Sequence, residues 1–378
     1  MLPIEAENSR SGQAILDAKN LSPSFRLLLD WNTSTGMAML RKLRQLAGVQ
    51  LLDRPRYRRL LTTPGHGYLA LCNRYEQLRP SPLGNGYECC WHYTSRLHAP
   101  SVCPDLGQRL LQRCLRDFPI VCLSEPAWDP GLAPELSVVI PHRGSERVGH
   151  LLATLQSVAA QRNVRLECIV LEQDSQSEVA ALLPAWVRHV LSPLQLAGGR
   201  FNRSHAFNEG LRHCRAPVAL LHDNDMLIPD DYCRSIMHTI ALGYQAVNLK
   251  RFVFYLDKST SLAIMARPDS PLDVAPPLDI VQNLEAGGSV AITVEAYRSI
   301  GGMDEEFQGW GGEDNEFWDR AALLSRWTWG LFPIVHLWHR PQELKHHSGN
   351  TNLQRAHALA QVPAQKRIEQ LIHANSFS

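Results

Sequence analysis

The sequence predicts an α/β protein whose sheet is formed by residues 131–350. After residue 131, short apolar runs alternate with segments that carry apolar side chains at helical spacing. This alternation is typical of a parallel sheet covered by helices. A proline-rich stretch precedes the alternating part, and an Asp-x-Asp sequence stands where one strand is expected to end. Together these observations predict a sheet domain with a binding site at the carboxyl ends of its strands.

The individual elements follow from the side-chain periodicities of strands and helices. Residues 136–141 form the clearest strand, and residues 146–161 form the clearest helix. Other strands are expected over residues 166–171, 218–221, 246–249, 252–256, 287–292 and 331–335, and other helices over residues 205–214, 230–242 and 294–300. Residues 257–285, which are rich in Pro, Asp and Ser, are expected to form a variable loop.

The chain is expected to divide near residue 130. Residues 126–134 contain three prolines and one glycine, which cannot continue a helix or a central strand. Residues 1–130 are therefore predicted to be a small, mainly α accessory domain of unknown role, and residues 351–378 a C-terminal helical tail. Within the accessory domain, helical spacing occurs over residues 13–48 and 105–117, and loops with short strands are expected over residues 62–104.

Composition excludes some classes of protein. With 38 basic and 37 acidic residues the net charge is +1, which argues against a protein built for nucleic-acid binding. Nine cysteines occur without a Cys-x-x-Cys pair, so neither a disulfide framework nor a zinc site is indicated, and reduced thiols favour the cytoplasm. No run of 18 apolar residues is present and the first residues lack signal-peptide features, so neither a membrane span nor secretion is expected.

Basic residues are concentrated in residues 41–59, where seven stand against one acidic residue, Asp53. Two interpretations of this segment remain open. It forms a solvated helix face, or it docks on an anionic membrane surface or a partner. The expected location is therefore cytoplasmic, with peripheral contact at the inner face of the membrane as an open alternative. The oligomeric state does not follow from the sequence.

The Asp-x-Asp sequence is Asp223-Asn224-Asp225, directly after the apolar run at residues 218–221. Ligands of open α/β sheets bind beyond the carboxyl ends of the strands. Two carboxylates at such a position suit a hard divalent cation that also holds phosphate oxygens. An ordinary turn is the alternative, because Asp and Asn are common turn residues.

A histidine pair, His336 and His339, follows the strand predicted at residues 331–335. Imidazole binds transition metals, and a ligand set that mixes imidazole with carboxylate favours a metal such as Mn²⁺ over Mg²⁺. The alternative is a pair of core histidines that hydrogen-bond within the protein and bind no metal.

Residues 309–314, Gly-Trp-Gly-Gly-Glu-Asp, lead into an apolar helical pattern. Glycines allow the backbone to approach a ligand closely, and an indole face stacks on a sugar ring. A carboxylate at this point can accept a proton from an attacking hydroxyl. The alternatives are a first helical turn whose acidic residues complement the helix dipole, and a tryptophan packed in the core.

Several short segments occur in the same order as in one known family, and the gaps between them are comparable. They are residues 137–143 (Ser-Val-Val-Ile-Pro-His-Arg), 201–204 (Phe-Asn-Arg-Ser), 223–225, 301–304 (Gly-Gly-Met-Asp), 309–314 and 336–339 (His-Leu-Trp-His). In these segments the chain resembles the GT-A-fold glycosyltransferases of family 2. Its carboxyl-terminal part is similar to the galactosyltransferase signature of β-1,4-galactosyltransferases and bacterial chondroitin-type polymerases. The resemblance leaves the first 130 residues outside.

The resemblance implies a GT-A domain over residues 131–350 that binds a nucleotide sugar and a divalent metal, Mn²⁺ or Mg²⁺. Asp225 would be the direct metal ligand, and His339, or His336 as well, would complete the metal site. The residues that would surround the donor and its nucleotide are Pro141, His142, Arg143, Asp174, Arg203, Asp223 and Trp310. For Arg203, a salt bridge to Glu209 of its own helix is the alternative.

The resemblance also implies the chemistry. Asp314 would deprotonate the acceptor hydroxyl for a single in-line displacement that inverts the anomeric centre, and Glu313 would organise the turn or bind sugar hydroxyls. Relatives that retain the anomeric configuration carry Glu-Asn at this point, so the Glu-Asp of this chain favours inversion. Many relatives have Asp-Asp after the second strand. Here Glu172-Gln173-Asp174 stands there, so Asp174 or Gln173 would substitute and the preference for uridine is weakened.

The expected function is transfer of a sugar, of galactose or N-acetylgalactosamine type, from a UDP-sugar to a glycan or glycolipid acceptor. Two other functions remain open. One is a GT-A module that binds a nucleotide sugar or a glycan without turnover. The other is a different metal-dependent enzyme that acts on nucleotide diphosphates.

Overall fold

The computed structural model describes residues 43–193, 201–284, 286–309, 311–340 and 351–375. The chain forms two compact units, Met1–Leu52 and Asp53–Ser378. Most of the helix expected over residues 13–48 lies outside the described residues. The elements discussed below all belong to the second unit.

The second unit contains strands and helices in alternation. The strands are β1 Leu78–Pro80, β2 Tyr87–Cys89, β3 Ser95–Arg96, β4 Leu136–His142, β5 Leu166–Glu172, β6 Val187–Leu191, β7 Val218–His222, β8 Met226–Leu227, β9 Ala246–Val247, β10 Lys250–Tyr255, β11 Asp279–Gln282, β12 Ser289–Thr293, β13 Arg326–Trp327 and β14 Phe332–His336. The helices are α1 Arg54–Thr62, α2 His98–Val102, α3 Pro104–Asp117, α4 Val148–Ala159, α5 Arg203–Arg212, α6 Tyr232–Ala241, α7 Lys258–Ala266, α8 Val294–Ser299, α9 Glu313–Arg320, α10 Thr351–Leu359 and α11 Ala364–Asn375. Within the described ranges, no helix combines the length and apolar character that crossing a membrane requires.

A seven-stranded sheet with the order β13-β9-β12-β7-β4-β5-β6 forms the centre. Strands β7, β4 and β5 run parallel to one another, as predicted, and β6, which the sequence analysis did not predict, continues the parallel part. Strand β12 runs antiparallel to both β7 and β9, so the prediction of a wholly parallel sheet is wrong at this edge. The reason is where β12 begins: the Asp223 N–H, just beyond β7, donates to the Gly288 carbonyl at 2.8 Å. A strand that enters at the carboxyl end of β7 can only run in the opposite direction.

A second sheet has five strands in the order β3-β11-β10-β14-β8. The prediction of a loop over residues 257–285 is wrong, because this stretch contains helix α7 and strand β11. Asp257 caps α7 by accepting from the backbone N–H of Thr260 at 3.0 Å. Strand β11 pairs with both β10 and β3, so partners distant in sequence provide its backbone hydrogen bonds.

Residues 53–118 pack against the second sheet. The buried guanidinium of Arg251 in β10 donates to the carbonyls of Leu69 and Leu71 at 2.7 and 2.6 Å. The pairing of β3 with β11 adds backbone contacts. The compact unit therefore begins well before the predicted domain boundary at residue 130. A separate role for residues 1–130 stays a prediction.

Helices α10 and α11 pack on α9, the helix that follows the Gly-rich segment. Arg367 of α11 donates to the Glu316 carboxylate of α9 at 2.8 Å, and both side chains are buried. Asn375, at the end of α11, donates to the Gly301 carbonyl at 2.7 Å. These contacts fix the position of α9 and of its first turn.

Candidate active site

The Asp-x-Asp sequence links the two sheets. Asp223 lies directly after β7 of the main sheet, and Asp225 lies directly before β8 of the second sheet. Strand β8 pairs with β14, and the Leu337 N–H that follows β14 donates to the Asp225 carbonyl at 2.9 Å. Backbone pairing therefore brings Asp225 beside the end of β14, where the two candidate histidine ligands stand.

Asp225, His336 and His339 form a compact cluster. One ligand atom from each side chain lies within 4.8 Å of the others. The Nε2 atom of His336 is 3.8 Å from Asp225 Oδ1, and the Nε2 atom of His339 is 3.4 Å from Asp225 Oδ2. A carboxylate and two imidazoles suit a divalent transition metal. The structure thus brings together both histidines that the sequence analysis considered, not one of them alone.

Arg147 also reaches this cluster, and the sequence analysis did not single it out. It ends the 3₁₀ turn Ser145–Arg147, between β4 and α4. Its Nη1 donates to Asp225 Oδ2 at 3.0 Å, and its Nη2 lies 3.0 Å from Nδ1 of His339. Burial by itself would raise the pKa of Asp225, but electrostatic interactions with His336, Arg147 and His339 outweigh it and hold that pKa below its ordinary value.

His150, one turn into α4, is the second residue that sequence reasoning missed. Its Nε2 donates to the carbonyl of Trp338 at 2.8 Å, which fixes the backbone between His336 and His339. Its Nδ1 is buried and has no hydrogen-bond partner among the described residues. The centroids of the His150 and His339 rings lie 6.4 Å apart, so the His150 ring stands close to the metal-ligand cluster. Buried polar atoms are rarely left without a hydrogen-bond partner, and one that is indicates a functional group, an ion or a water at that position.

Arg203 binds three candidate carboxylates at once. Its Nε and Nη2 lie 2.8 and 2.7 Å from Asp223 Oδ1. Its Nη1 forms an ion pair with Asp314 and lies 3.6 Å from Glu313 Oε1. The alternative salt bridge from Arg203 to Glu209 is not formed, since Glu209 pairs with its neighbours along α5. One guanidinium therefore connects the Asp-x-Asp sequence to the first turn of α9.

Glu313 and Asp314 open α9, as the sequence indicates, after Gly312 with φ of 89°. The Glu313 side chain is buried and its Oε2 has no partner among the described residues. Desolvation, together with the Asp314 charge, raises the pKa of Glu313 to about 7. A Cβ on Gly287 would stand 3.3 Å from Asp314 Oδ2, so the missing side chain leaves room for that carboxylate. Trp310 lies outside the described residues.

The remaining candidates stand at the carboxyl ends of β4 and β5. Pro141 and His142 are buried, whereas Arg143 and Asp174 are half-buried. The His142 ring accepts from the Asn224 amide at 2.9 Å and donates to the Gly144 carbonyl at 2.9 Å. Both ring nitrogens of His142 are thus engaged inside the protein, where they tie the Asp-x-Asp loop to the loop after β4.

Gln173, considered with Asp174 as a substitute for the usual acidic pair, has a structural role at the start of α5. Its side-chain oxygen accepts from the backbone N–H of Asn202 at 2.7 Å. Asn202 caps α5 by accepting from the N–H of His205 at 2.9 Å. Gln173 therefore helps to fix the start of the helix whose first residue is Arg203.

Two family models match the chain, one over the first part of the main sheet and one over the segment that contains the first turn of α9. Residues 137–265 match glycosyl transferase family 2, and residues 280–331 match the model described as the N-terminal domain of galactosyltransferase. The mixed sheet, the acidic residues at its carboxyl edge and these matches define a nucleotide-sugar glycosyltransferase with a GT-A-type α/β fold. The chain carries a family 2 glycosyltransferase domain followed by a galactosyltransferase-type region that includes the first turn of α9.

Solved structures with similar folds include three glycosyltransferases. A mannosyltransferase from Pyrobaculum calidifontis in complex with GDP-Man and Mn²⁺ is 17% identical, with 72% of this chain and 76% of that chain covered and a TM-score of 0.39. The catalytic domain of Drosophila β1,4-galactosyltransferase 7 with xylobiose gives 16% identity, coverage of 58% and 79%, and a TM-score of 0.33. Glucosyl-3-phosphoglycerate synthase from Mycobacterium tuberculosis with Mg²⁺ and UDP is 17% identical, with 64% of this chain and 85% of that chain covered and a TM-score of 0.38. Among curated proteins, no sequence matches the chain.

Proposed function

We propose that this protein is an inverting, metal-dependent glycosyltransferase that moves a galactose- or N-acetylgalactosamine-type sugar from a UDP-sugar to a glycan or glycolipid acceptor. The observation that carries the proposal is the bridge made by Arg203. It holds Asp314, the candidate base, beside Asp223 of the Asp-x-Asp sequence. A proton acceptor therefore lies beside the Asp-x-Asp sequence that also supplies a candidate metal ligand, as a direct displacement on a nucleotide sugar requires.

Asp225, His336 and His339 would hold the divalent cation, because their ligand atoms converge and their chemistry suits a transition metal. When bound, such a cation supplies charge stabilisation for a diphosphate leaving group. The protein's own part is to keep Asp225 ionised and aimed at the site. The hydrogen bond from Leu337 to the Asp225 carbonyl fixes the backbone at this residue, and the charges of the neighbouring side chains outweigh the effect of burial and keep the carboxylate ionised.

Asp314 would accept the proton of the acceptor hydroxyl. In that step the acceptor oxygen bonds to the anomeric carbon, the bond from that carbon to the diphosphate oxygen breaks, and the hydroxyl proton passes to the Asp314 carboxylate. The side chain of Asp314 is 26% exposed, so an acceptor can reach it. Arg203 keeps the carboxylate oriented before the acceptor arrives.

Glu313 would bind a sugar hydroxyl. Its Oε2 lacks a partner among the described residues, and its raised pKa lets it carry a proton near neutral pH. A protonated carboxyl can donate one hydrogen bond and accept another, which matches the two-sided hydrogen bonding of a sugar hydroxyl.

The test of the base compares Asp314→Asn with Asp319→Asn, which lies in the same helix and has an exposed carboxylate. We expect Asp314→Asn to lower the transfer rate by roughly 10²–10⁴-fold and to leave UDP affinity nearly unchanged. Asp319→Asn should keep its rate. Equal rates for Asp314→Asn and the parent protein would refute the role of Asp314.

The donor and the metal are tested by thermal-shift measurements with UDP, GDP, CMP and several UDP-sugars, each with Mn²⁺, Mg²⁺ or EDTA. A ligand that binds the folded state must raise the melting temperature. We expect the largest rise with one UDP-sugar and Mn²⁺, and none of that rise with EDTA. A rise that survives EDTA would refute the metal role, and a UDP-sugar that binds without ever being turned over would point to a non-catalytic module.

A further inference from the structure

We propose that Arg147 competes with the divalent cation for Asp225 and His339, and that it leaves these residues when the cation binds. The inference rests on the metal site of the proposed function. Arg147 donates to Asp225 Oδ2 at 3.0 Å and reaches His339 Nδ1 at 3.0 Å, so its guanidinium spans two of the three candidate ligands. A planar fork with several N–H groups is suited to hold two acceptors in this way.

The hydrogen bonds of His339 make the two arrangements exclusive. Its Nδ1 has two neighbours, the Arg147 guanidinium at 3.0 Å and the Arg340 carbonyl at 2.7 Å. A guanidinium only donates and a carbonyl only accepts, so a ring nitrogen can satisfy one of them at a time. The position of the ring proton decides which of the two hydrogen bonds Nδ1 forms.

Only one of these ring forms can bind a metal through Nε2, the atom that faces Asp225. If Nδ1 accepts from Arg147, the neutral ring carries its proton on Nε2, the atom that faces Asp225 Oδ2 at 3.4 Å. If Nδ1 instead donates to the Arg340 carbonyl, Nε2 has a free lone pair that points at Asp225 and can bind a cation. A metal on Nε2 therefore removes the acceptor that holds Arg147 in place.

Electrostatics acts in the same direction. Arg147 occupies Asp225 Oδ2, the oxygen that also faces His339. A divalent ion at that oxygen would stand within a few ångströms of the guanidinium charge, where like charges repel strongly. The Arg147 side chain is 25% exposed, so it can turn toward solvent. There it can bind phosphate oxygens of a nucleotide, which a guanidinium holds well.

The consequence is a link between metal and nucleotide binding. The cation alone must displace Arg147 without compensation, whereas a cation that arrives with a diphosphate gives the displaced guanidinium a new partner. We therefore expect weak Mn²⁺ binding by the protein alone and much tighter binding in the presence of UDP.

The test is isothermal titration calorimetry of Mn²⁺ into the parent protein, Arg147→Met and Arg165→Met, each with and without UDP. Arg165 pairs with Glu135 at 3.1 Å on the surface, so its replacement removes one positive charge away from the cluster. Without UDP, we expect Arg147→Met to bind Mn²⁺ about tenfold more tightly than the parent protein, and Arg165→Met to bind it equally well. With UDP, the advantage of Arg147→Met should disappear.

Two further variants separate the possible failures. Arg147→Lys keeps the charge but cannot span both acceptors, so its Mn²⁺ affinity should fall between those of the parent protein and Arg147→Met. Asp225→Asn should lose Mn²⁺ binding. If it does, and Arg147→Met binds Mn²⁺ no more tightly than the parent protein, the competition is refuted while the metal site stands. If no variant binds Mn²⁺, the metal site itself is refuted, and the competition with it.

The ring form of His339 gives an independent readout. A long-range ¹H–¹⁵N NMR spectrum of the parent protein without Mn²⁺ should show the proton of His339 on Nε2. In Arg147→Met it should move to Nδ1, because only the Arg340 carbonyl remains as a neighbour of that atom. An unchanged His339 ring form in Arg147→Met would overturn the proposal.

Discussion

Arg203 forms an ion pair with Asp314, a residue 111 positions further along the chain. The same guanidinium lies 2.8 and 2.7 Å from Asp223 through Nε and Nη2. Asp223 belongs to the segment that matches family 2, and Asp314 belongs to the galactosyltransferase-type segment. One side chain thus joins the two matched regions, and neither region forms the candidate site without the other.

Replacement of Arg203 by Met should destabilise the fold. The change leaves Asp223, Glu313 and Asp314 close together without their shared cation. Removal of one partner from a buried ion pair costs about 3–5 kcal/mol, and the lower end applies here because Arg203, Asp223 and Asp314 are half-buried. We expect the free energy of unfolding in urea to fall by about 3 kcal/mol at pH 7. Arg234→Met, which removes an exposed salt bridge to Asp231, should change it by about 1 kcal/mol or less. Equal losses in the two variants would contradict the role of Arg203 as the cation shared by these carboxylates.

Glu313 should make stability depend on pH. Burial and the Asp314 charge raise the pKa of Glu313 from 4.5 to about 7. Between these values the folded protein keeps a proton that the unfolded chain has lost, so the free energy of unfolding falls as the pH rises. Glu313→Gln cannot titrate. Relative to the parent protein, its free energy of unfolding should therefore increase by about 2 kcal/mol between pH 5 and pH 7.

Chemical denaturation at pH 5 and pH 7 measures this difference. Glu295→Gln is the control, because Glu295 is exposed in the first turn of α8 and its replacement removes one carboxyl group from the surface. If the two variants show the same change with pH, the carboxyl of Glu313 has an ordinary pKa in the folded protein.

The sequence was sufficient for the parts of the site that follow strand ends. The apolar runs of β4, β5 and β7 are unambiguous, and the carboxyl ends of parallel strands meet at one edge of a sheet. Asp223 could therefore be assigned to this edge from its position alone, whereas His142 and Asp174 were assigned to the site by the family resemblance. The convergence of Asp225 with His336 and His339 came from the family resemblance, because it depends on the pairing of β8, two residues long, with β14.

Other parts could not be predicted from local patterns. Strand β11 is defined by partners in β3 and β10, and it lies in a stretch whose Pro, Asp and Ser content is typical of a loop. Arg147 meets Asp225 across 78 residues of sequence, from a short 3₁₀ turn that carries no periodicity. Such contacts are set by tertiary packing, so a single sequence gives no signal that distinguishes Arg147 from the neighbouring Arg143.

Tyr255 should support the metal ligands. Its ring stacks on His336 with centroids 4.2 Å apart and planes 23° apart, and the parallel pairing of β10 with β14 places the two residues opposite each other. Loss of a group that orients a metal ligand typically costs 10–100-fold in affinity. We expect Tyr255→Ala to weaken Mn²⁺ binding in calorimetry by roughly tenfold in the presence of UDP. Tyr255→Phe keeps the ring and should bind Mn²⁺ like the parent protein. A similar loss in both variants would assign the effect to the hydroxyl instead.

Gly312, directly before α9, should not tolerate a side chain. Its φ is 89°, and a Cβ there would stand 3.0 Å from both Asn352 O and Ala356 Cβ in α10. Gly84, in the turn between β1 and β2, has φ of 73° with nothing within 4 Å of such a Cβ. Gly84→Ala should therefore lower the free energy of unfolding by only about 1 kcal/mol, the cost of the left-handed backbone conformation. Gly312→Ala should lose about 3 kcal/mol in urea unfolding, because overpacking against α10 adds to that term. It should also weaken transfer by shifting the first turn of α9, whereas equal losses of stability for the two variants would show that α10 yields to the added methyl group.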